Sequence, residues 1–459
     1  MCPPQRKGGE VGGSIPSAPT MKFIADFHIH SKYSRATSKD MVLEELDRWA
    51  DDKGILVMGT GDFTHPGWFK EIKEKLEPAE SGLFKLKPQY KKKTIKGTFA
   101  ETRFFLSAEI SSIFSRDRQS LEQGRRVYRV HDLIFSPDVE TVEKINAQLG
   151  WIGNLKSDGR PILGLDTKEL AKIIFNTNPK AAIVPAHAWT PWFSIFGSMS
   201  GFDSIEECFG EYAKNIFAIE TGLSSDPKMN WRLSKLDNIV LISNSDSHSL
   251  QRIGREANIF DTELSYDGII NTIKSRDSKR FVATVEFFPE EGKYHYDGHR
   301  LCGVFFSPEE TKKHNGICPK CGKKLTIGVM NRVERLADRP EIKIPENNFY
   351  NIYNNRIPYY NLIPLDEIIA ESFGVGAGAK KVKEEYENLI KTFGSELKIL
   401  LETTEEELKS ATDPRVAEGI KRVRKGQVKI RPGYDGEYGE ISIFNNEERE
   451  KLETQKTLF

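Results

Sequence analysis

"KFIADFHIHSKYSR", residues 22–35, places Asp26, His28 and His30 within five positions. The stretch Phe23–Phe27 is apolar and β-capable, which predicts a buried strand. Along a strand, positions i and i+2 face the same side, so His28 and His30 project together at its end. Two imidazoles on one face can chelate a cation. The plain alternative is a pair of histidines hydrogen-bonded in a core, and the rest of the chain decides between the two.

A helical stretch from about Lys39 to Asp52 follows, and then a series of strands that end on ligand-capable side chains. "ILVMGTGDFTHPGW" sets Asp62 and His65 beyond an apolar strand, and "RFFLSAEISS" ends on Glu109. "YRVHDLIF" carries His131, "AAIVPAHAW" delivers His187 and "IFAIETG" brings Glu220. "NIVLISNSDSHS" closes the series with Asp246 and His248, again spaced i, i+2. Helical segments lie between, for example Pro137–Leu149 and Thr167–Ile174, and such alternation predicts a largely parallel sheet or barrel. Seven strands with polar C-terminal ends describe an α/β barrel carrying its site on the top face. Six of the nine histidines fall at or just after these strands, a sorting that scattered core histidines would not show. Imidazole with carboxylate is the ligand set of zinc, manganese or iron. Two or three such metals close together can activate water and clamp a phosphoryl group.

The series D-F-H-I-H, G-D-F-T-H, Glu109, His131, His187 and S-D-S-H resembles the PHP (polymerase and histidinol phosphatase) family over roughly residues 21–285. That resemblance implies a distorted seven-stranded barrel with a trinuclear metal site of zinc, magnesium or manganese. It assigns His28, His30, Glu109 and Asp246 to one metal. Glu109 then bridges to a second, held by His131 and His187, and His248 holds a third with help from Asp62 or His65. Asp246, Glu109 and His248 are the expected catalytic residues. Many family members carry a further histidine about six residues after the HxH. Ala36 stands there in this chain, so the third site is the least supported.

Lys+Arg and Asp+Glu balance at 67 each, so a nucleic-acid site must come from local clusters. Apolar content of 38% with 29% charged residues fits a soluble globular chain, and no apolar run long enough to span a membrane occurs. The N-terminus lacks an apolar signal segment, so a cytoplasmic, reducing location is expected. There, clustered cysteines suggest metal rather than disulfide. Residues 1–20 are Pro/Gly/Ser-rich and are expected to be a disordered leader.

"HRLCGVFFSPEETKKHNGICPKC", residues 299–321, holds His299-x2-Cys302, fifteen residues, then Cys318-x2-Cys321. Two chelating pairs separated by a loop form a structural zinc signature. A redox CxxC is disfavoured by the second pair. His295 and His314 stand as reserve ligands.

Residues 331–440 read as helices broken by glycines. Phe373–Lys383 is a G-x-G-x-G turn, with Gly374 and Gly376, opening a helix that carries Lys380, Lys381 and Lys383. Such a turn can hold a DNA phosphate; a plain helix–turn–helix is the alternative. "FGSELKILLETTEEELKSATDPRVAEGIKRVR" resembles the second half of tandem helix-hairpin-helix modules, with Thr412-Asp413-Pro414 in place of the usual P-G-I. The cluster Lys421–Lys425 adds positive charge. "NNFYNIYNNRIPYYNLIP" interleaves aromatics, including Tyr359 and Tyr360, with amides, which suits unstacked bases or packing between domains. "IRPGYDGEYGEISIF" predicts a strand–turn–strand element.

The order of metal barrel (21–288), zinc module (289–330) and helical region (331–440) is similar to the endonuclease Q family. That resemblance implies a metal-dependent enzyme nicking DNA 5′ to deaminated bases (uracil, hypoxanthine, xanthine) and abasic sites. A small-molecule phosphoesterase of the histidinol-phosphatase type is the rival, and it leaves the zinc module and basic helix idle. A purely binding protein with structural metals is the second. In the tail, 441–459, Q-x-x-L-F resembles peptides that dock on DNA sliding clamps, with Gln455 as polar anchor and Leu458 and Phe459 filling the pocket. A monomer is expected.

Overall fold

The protein is described by a computed structural model covering residues 19–117, 125–342, 350–445 and 448. The expected leader up to residue 18 and the tail residues Gln455, Leu458 and Phe459 lie outside these. The opening strand, Thr20–Asp26, pairs in parallel with Val57–Gly59 and antiparallel with Ala257–Glu263. Val57–Gly59 in turn pairs in parallel with Arg103–Phe105. This nine-stranded sheet ends in Leu76–Pro78 at one edge and Tyr350–Asn351 at the other. A four-stranded sheet orders Ile162–Leu163, Ser107–Asp117, Arg125–Phe135 and Ala182–Pro185, and Ala218–Glu220 pairs in parallel with Val240–Ile242. The fold is mixed α/β.

The seven strands expected from sequence are thus divided among three ladders, with close ties between them. Only Leu106 separates Arg103–Phe105 from Ser107–Asp117. The Ala188 N–H donates to the Glu220 carbonyl at 2.9 Å, and the His30 N–H to the Ser247 carbonyl at 2.9 Å. A single apolar cluster takes alternate residues from these strands: Ala25 and Phe27, Val57, Phe105, Leu133 and Phe135, Ala182 and Val184, Ala218, Val240 and Ile242. Period-2 selection of one face puts all of them on the same interior. Phe27 sits at its centre, 4.8 Å from the Phe105 ring and 5.6 Å from Phe135.

One expectation needs correcting. Arg125–Phe135 runs antiparallel to both Ser107–Asp117 and Ala182–Pro185, so this one strand departs from the parallel order that the pairs Thr20–Asp26 with Val57–Gly59 and Ala218–Glu220 with Val240–Ile242 keep. Seven residues separate Asp117 from Arg125, far fewer than the dozen that a parallel crossover requires.

The expected helices are present with shifted ends. Leu43–Lys53 stops at Gly54, whose φ of 91° only glycine adopts readily. Val139–Ile152 starts on Asp138, whose carboxylate accepts the Thr141 N–H at 2.7 Å. Thr167–Thr177 is the third. No helix among the described residues is long and apolar enough to cross a membrane.

Elements run across several expected boundaries. The helix Val329–Leu336 spans residue 330/331, and Tyr350–Asn351 and Tyr359–Asn361 complete the large sheet rather than the helical region. Glu440–Ser442 pairs with Lys429–Arg431 as the expected hairpin, crossing 440/441. The helical region packs on the helix Leu43–Lys53 through a buried ion pair: Lys53 Nζ donates to Glu396 Oε2 at 2.5 Å. The Tyr386 hydroxyl donates to the same oxygen at 2.8 Å and the Leu365 N–H to the other at 3.2 Å. A buried charge is tolerated only when paired and fully hydrogen-bonded, and Glu396 meets that condition.

Candidate metal centre

Past Asp26 the chain leaves its strand, and His28 and His30 flank a single parallel bridge between Ile29 and Ser247. Both imidazoles are buried. His28 Nδ1 lies 3.0 and 3.1 Å from the two carboxylate oxygens of Glu220, and His30 Nδ1 lies 3.0 Å from Asp62 Oδ1. A carboxylate on Nδ1 fixes the proton there and presents Nε2 as a lone pair, the usual support for a metal-binding histidine. The two Nε2 atoms and Asp246 Oδ1 are buried without a hydrogen-bond partner among the described residues. They face one another. His30 Nε2 is 3.1 Å from Asp246 Oδ1 and 3.2 Å from Glu109 Oε2, and His28 Nε2 is 3.5 Å from each.

Ligand atoms of His28, His30, Glu109 and Asp246 therefore lie within 4.8 Å of one another, and so do those of Glu109, His131 and His187. Glu109 belongs to both groups. In the second, Glu109 Oε1 is 2.8 Å from His131 Nδ1 and 3.0 Å from His187 Nε2. The outer nitrogens are taken by hydroxyls, His131 Nε2 by Ser111 and His187 Nδ1 by Thr190, each at 3.1 Å. Orphaned buried donors arranged around a shared carboxylate fit divalent cations.

The acidic and basic groups of the site compensate one another. Burial opposes ionisation of Glu109, yet His131, Arg160 and His28 hold it well below the usual carboxylate range. Burial also opposes the charged form of His28, but Glu220, Asp246 and Glu109 raise its pKa well above the ordinary value. Burial pushes His131 down to about 4, leaving the neutral ring that binds metal. Three residues here adopt left-handed backbone: Asp62 (φ 49°), His187 (φ 29°) and Asp246 (φ 46°). Strain of that kind persists where surrounding structure enforces it. Next to His187, Gly222 is required, since a Cβ there would lie 2.5 Å from the His187 Cβ.

Several sequence-predicted ligands play other parts. Asp26 accepts backbone N–H groups from Ser245 and Gly254 at 3.1 and 3.0 Å. Asp62 is spent on His30, Ser31 and Ser34. His65 caps the helix Pro66–Lys75, with Nδ1 accepting from the Gly67 N–H at 3.2 Å, and its ring stacks on Tyr33 at 4.2 Å. Neither falls in a ligand group among the described residues. His248 lies 4.5 Å from the His30 ring with Nδ1 3.0 Å from the Asp246 carbonyl. Two residues have roles that no motif reveals. Glu220 stands at a strand end and supports His28, and Arg160, which donates to Glu109 Oε2 at 3.0 Å, lies outside every motif.

The second cluster forms as expected. His299, Cys302, Cys318 and Cys321 present ligand atoms within 4.8 Å of one another. His299 ends the strand Asp297–His299, and the Gly322 N–H closes the Cys318 turn at 2.9 Å. The reserve histidines stay out: His295 stacks on Tyr296 and His314 on Phe306.

The proposed DNA contacts divide. Leu365–Phe373 ends at Gly374 in left-handed conformation (φ 59°), and Lys380–Phe393 opens after the turn that holds Gly376. Lys380 and Lys383 are exposed, whereas Lys381 lies 3.9 Å over the Phe373 ring. Tyr359 is 1% exposed and packs against Trp231, and Tyr360 packs on Tyr350 at 4.8 Å. Tyr359 is therefore a core residue that no base can reach. The Lys421–Lys425 cluster is also structural in large part, because Arg424 donates to the Leu400 and Thr403 carbonyls and Arg422 pairs with Glu448.

The chain superposes on the crystal structure of the lesion-specific endonuclease PfuEndoQ from Pyrococcus furiosus with a TM-score of 0.77 and 31% identity, covering 92% of this chain and 95% of that one. An endonuclease Q in complex with a 27-mer duplex carrying an abasic lesion at the active site matches at TM-score 0.76 and 31% identity, over 93% and 98% of the two chains. The chain belongs to the endonuclease Q family. Residues 364–427 match the MJ0043 C-terminal domain family. The uncharacterized protein MJ0043 of Methanocaldococcus jannaschii is 39% identical over 264 residues, 56% of this chain, and the chain spans about a third (31%) of its length.

Proposed function

We propose that this chain is a metal-dependent endonuclease that nicks DNA 5′ to deaminated bases (uracil, hypoxanthine, xanthine) and to abasic sites. What carries the reading is the pair of buried ligand groups sharing Glu109, set in an endonuclease Q architecture. We read the three ladders as one distorted seven-stranded PHP-type barrel, supported by their common apolar interior. Zinc, magnesium or manganese would be held by His28, His30, Glu109 and Asp246 and by Glu109, His131 and His187, with a third ion at His248. Such ions supply Lewis acidity toward a phosphoryl oxygen and ease deprotonation of an attacking water.

The chain's own residues set the stage for that chemistry. Glu220 and Asp62 hold the Nδ1 protons of His28 and His30, so both rings keep one tautomer. Thr190 meets His187 at Nδ1 and Ser111 meets His131 at Nε2, in each case the nitrogen turned away from Glu109. Asp246 and Glu109 supply the negative charge that fixes the cations, and the burial of these groups limits competing water. Extruding a nucleotide costs about a few kcal/mol, least for a damaged base, which contributes selectivity.

His299, Cys302, Cys318 and Cys321 would hold one structural zinc, and Lys380 and Lys383 beside the Gly374–Gly376 turn would grip a phosphate. The clamp-docking tail (Gln455, Leu458, Phe459), a cytoplasmic site of action and a monomeric state belong to the same proposal and rest on sequence. The test uses 5′-labelled duplexes containing uracil, hypoxanthine or an abasic site, incubated with Mg²⁺, Mn²⁺ or Zn²⁺. Nicks immediately 5′ to the lesion are expected. Equal nicking of undamaged duplex would overturn lesion specificity.

A further inference from the structure

The loop that leaves His187 is anchored to both imidazoles of the second ligand group. His187 Nδ1 is 3.1 Å from the Thr190 hydroxyl, and that hydroxyl donates to the Trp192 carbonyl at 3.0 Å. The neighbouring Phe193, at φ 60°, packs its ring 4.8 Å from the His131 ring, and its carbonyl accepts the His131 backbone N–H at 3.1 Å. Trp192 is therefore mounted directly on the metal-ligand pair by short, local contacts. Yet its side chain is not in the core: it is 37% exposed, and Met199 in the same loop is 57% exposed.

What Trp192 does touch is Tyr294, edge to face at 5.3 Å. Tyr294 belongs to the segment that leads into the Cys/His cluster. The two rings thus face each other from the barrel and from the small module, across the junction between them. Two cations stand near these segments, Lys293 among the carboxylates of Glu290, Glu291 and Glu437. The Arg129 guanidinium lies 6.0 Å from the Phe193 ring and Lys293 Nζ 4.3 Å from the Tyr438 ring, which is itself 71% exposed. Neither cation pairs with a carboxylate among the described residues. Exposed aromatics flanked by unpaired cations, beside a phosphodiester-cleaving centre, are the chemistry of base stacking along a nucleic-acid strand.

We propose that Trp192, backed by Tyr294, is the stacking shelf for a base next to the scissile phosphate. It is a positioning residue: it would hold the displaced strand while the ligand groups act. The proposal rests on the endonuclease reading and adds a named contact to it.

The experiment measures binding of the full-length protein, in EDTA, to abasic-site duplexes with 2-aminopurine on either side of the lesion. Wild type should change the 2-aminopurine emission on one side. Trp192→Ala should remove that change and weaken binding by about ten- to a hundred-fold, the range of a lost base–aromatic stack. Trp192→Phe should restore most of both, and Tyr294→Ala should give a smaller loss. Zinc content and circular dichroism identify any variant that has lost its fold, in which case the Phe and Tyr294 variants carry the test. Wild-type affinity and emission in Trp192→Ala would overturn the proposal while leaving nicking intact. Absence of nicking by the wild type would instead remove the endonuclease reading itself.

Discussion

Arg160 places a guanidinium nitrogen 3.0 Å from the carboxylate of Glu109, the one side chain common to both ligand groups. Burial would otherwise make that carboxylate costly, so Arg160 balances it when no cation is bound. Arg160→Leu should lower the melting temperature of the metal-stripped protein by several degrees. Reloading with Mn²⁺ should recover most of the loss, because cations then take over the neutralisation. Calorimetry with and without EDTA separates the two states, and an equal shift in both would refute the account.

Replacing Glu109 by Gln or Asp246 by Asn should abolish nicking while lesion binding persists. Each change keeps the shape of the side chain but removes the charge that fixes the cations. Retention of more than about a few per cent of activity would contradict an effect of the order expected for a lost electrostatic stabiliser.

Glu220→Gln tests the support of His28. The amide cannot accept the Nδ1 proton through both oxygens, so the ring loses its fixed tautomer. Metal affinity should fall about 10–100-fold, the usual cost of losing such a partner, with the fold intact. Titration of stripped protein with Mn²⁺ is the measurement.

Cys318→Ser with Cys321→Ser should remove one zinc per chain. Structural zinc is worth about 10–16 kcal/mol to small modules, so residues 289–330 should become protease-sensitive. Elemental analysis showing unchanged zinc would exclude a metal there.

Lys380→Ala with Lys383→Ala should weaken binding to every duplex alike and reduce the salt slope by about 0.9 per lost phosphate contact. Tyr359→Ala should behave in the opposite manner. It opens a cavity in the core, at a cost of about 3–5 kcal/mol, and leaves the DNA affinity of the folded fraction unchanged.

The ligand-bearing half of this chain was readable because apolar strands announce themselves and a histidine at a strand's end is conspicuous. Sequence could not separate a ligand from its support, since Asp62 and Glu109 are both carboxylates past apolar strands. Only distance shows that one faces His30 Nδ1 and the other Nε2. Arg160 was invisible because an arginine in a polar loop carries no pattern. Strand direction at Arg125–Phe135 depended on the length of a link rather than on the strands' own residues. Tyr359 misled because an aromatic–asparagine segment reads the same whether its rings are buried or bare.

The buried contact of Lys53 with Glu396 has a geometric consequence. Because the pair is buried and held further by Tyr386, it ties the helical region to the helix Leu43–Lys53. On the function proposed above, a duplex held at the Gly374–Gly376 turn would reach Asp246 at an offset that this contact helps to set.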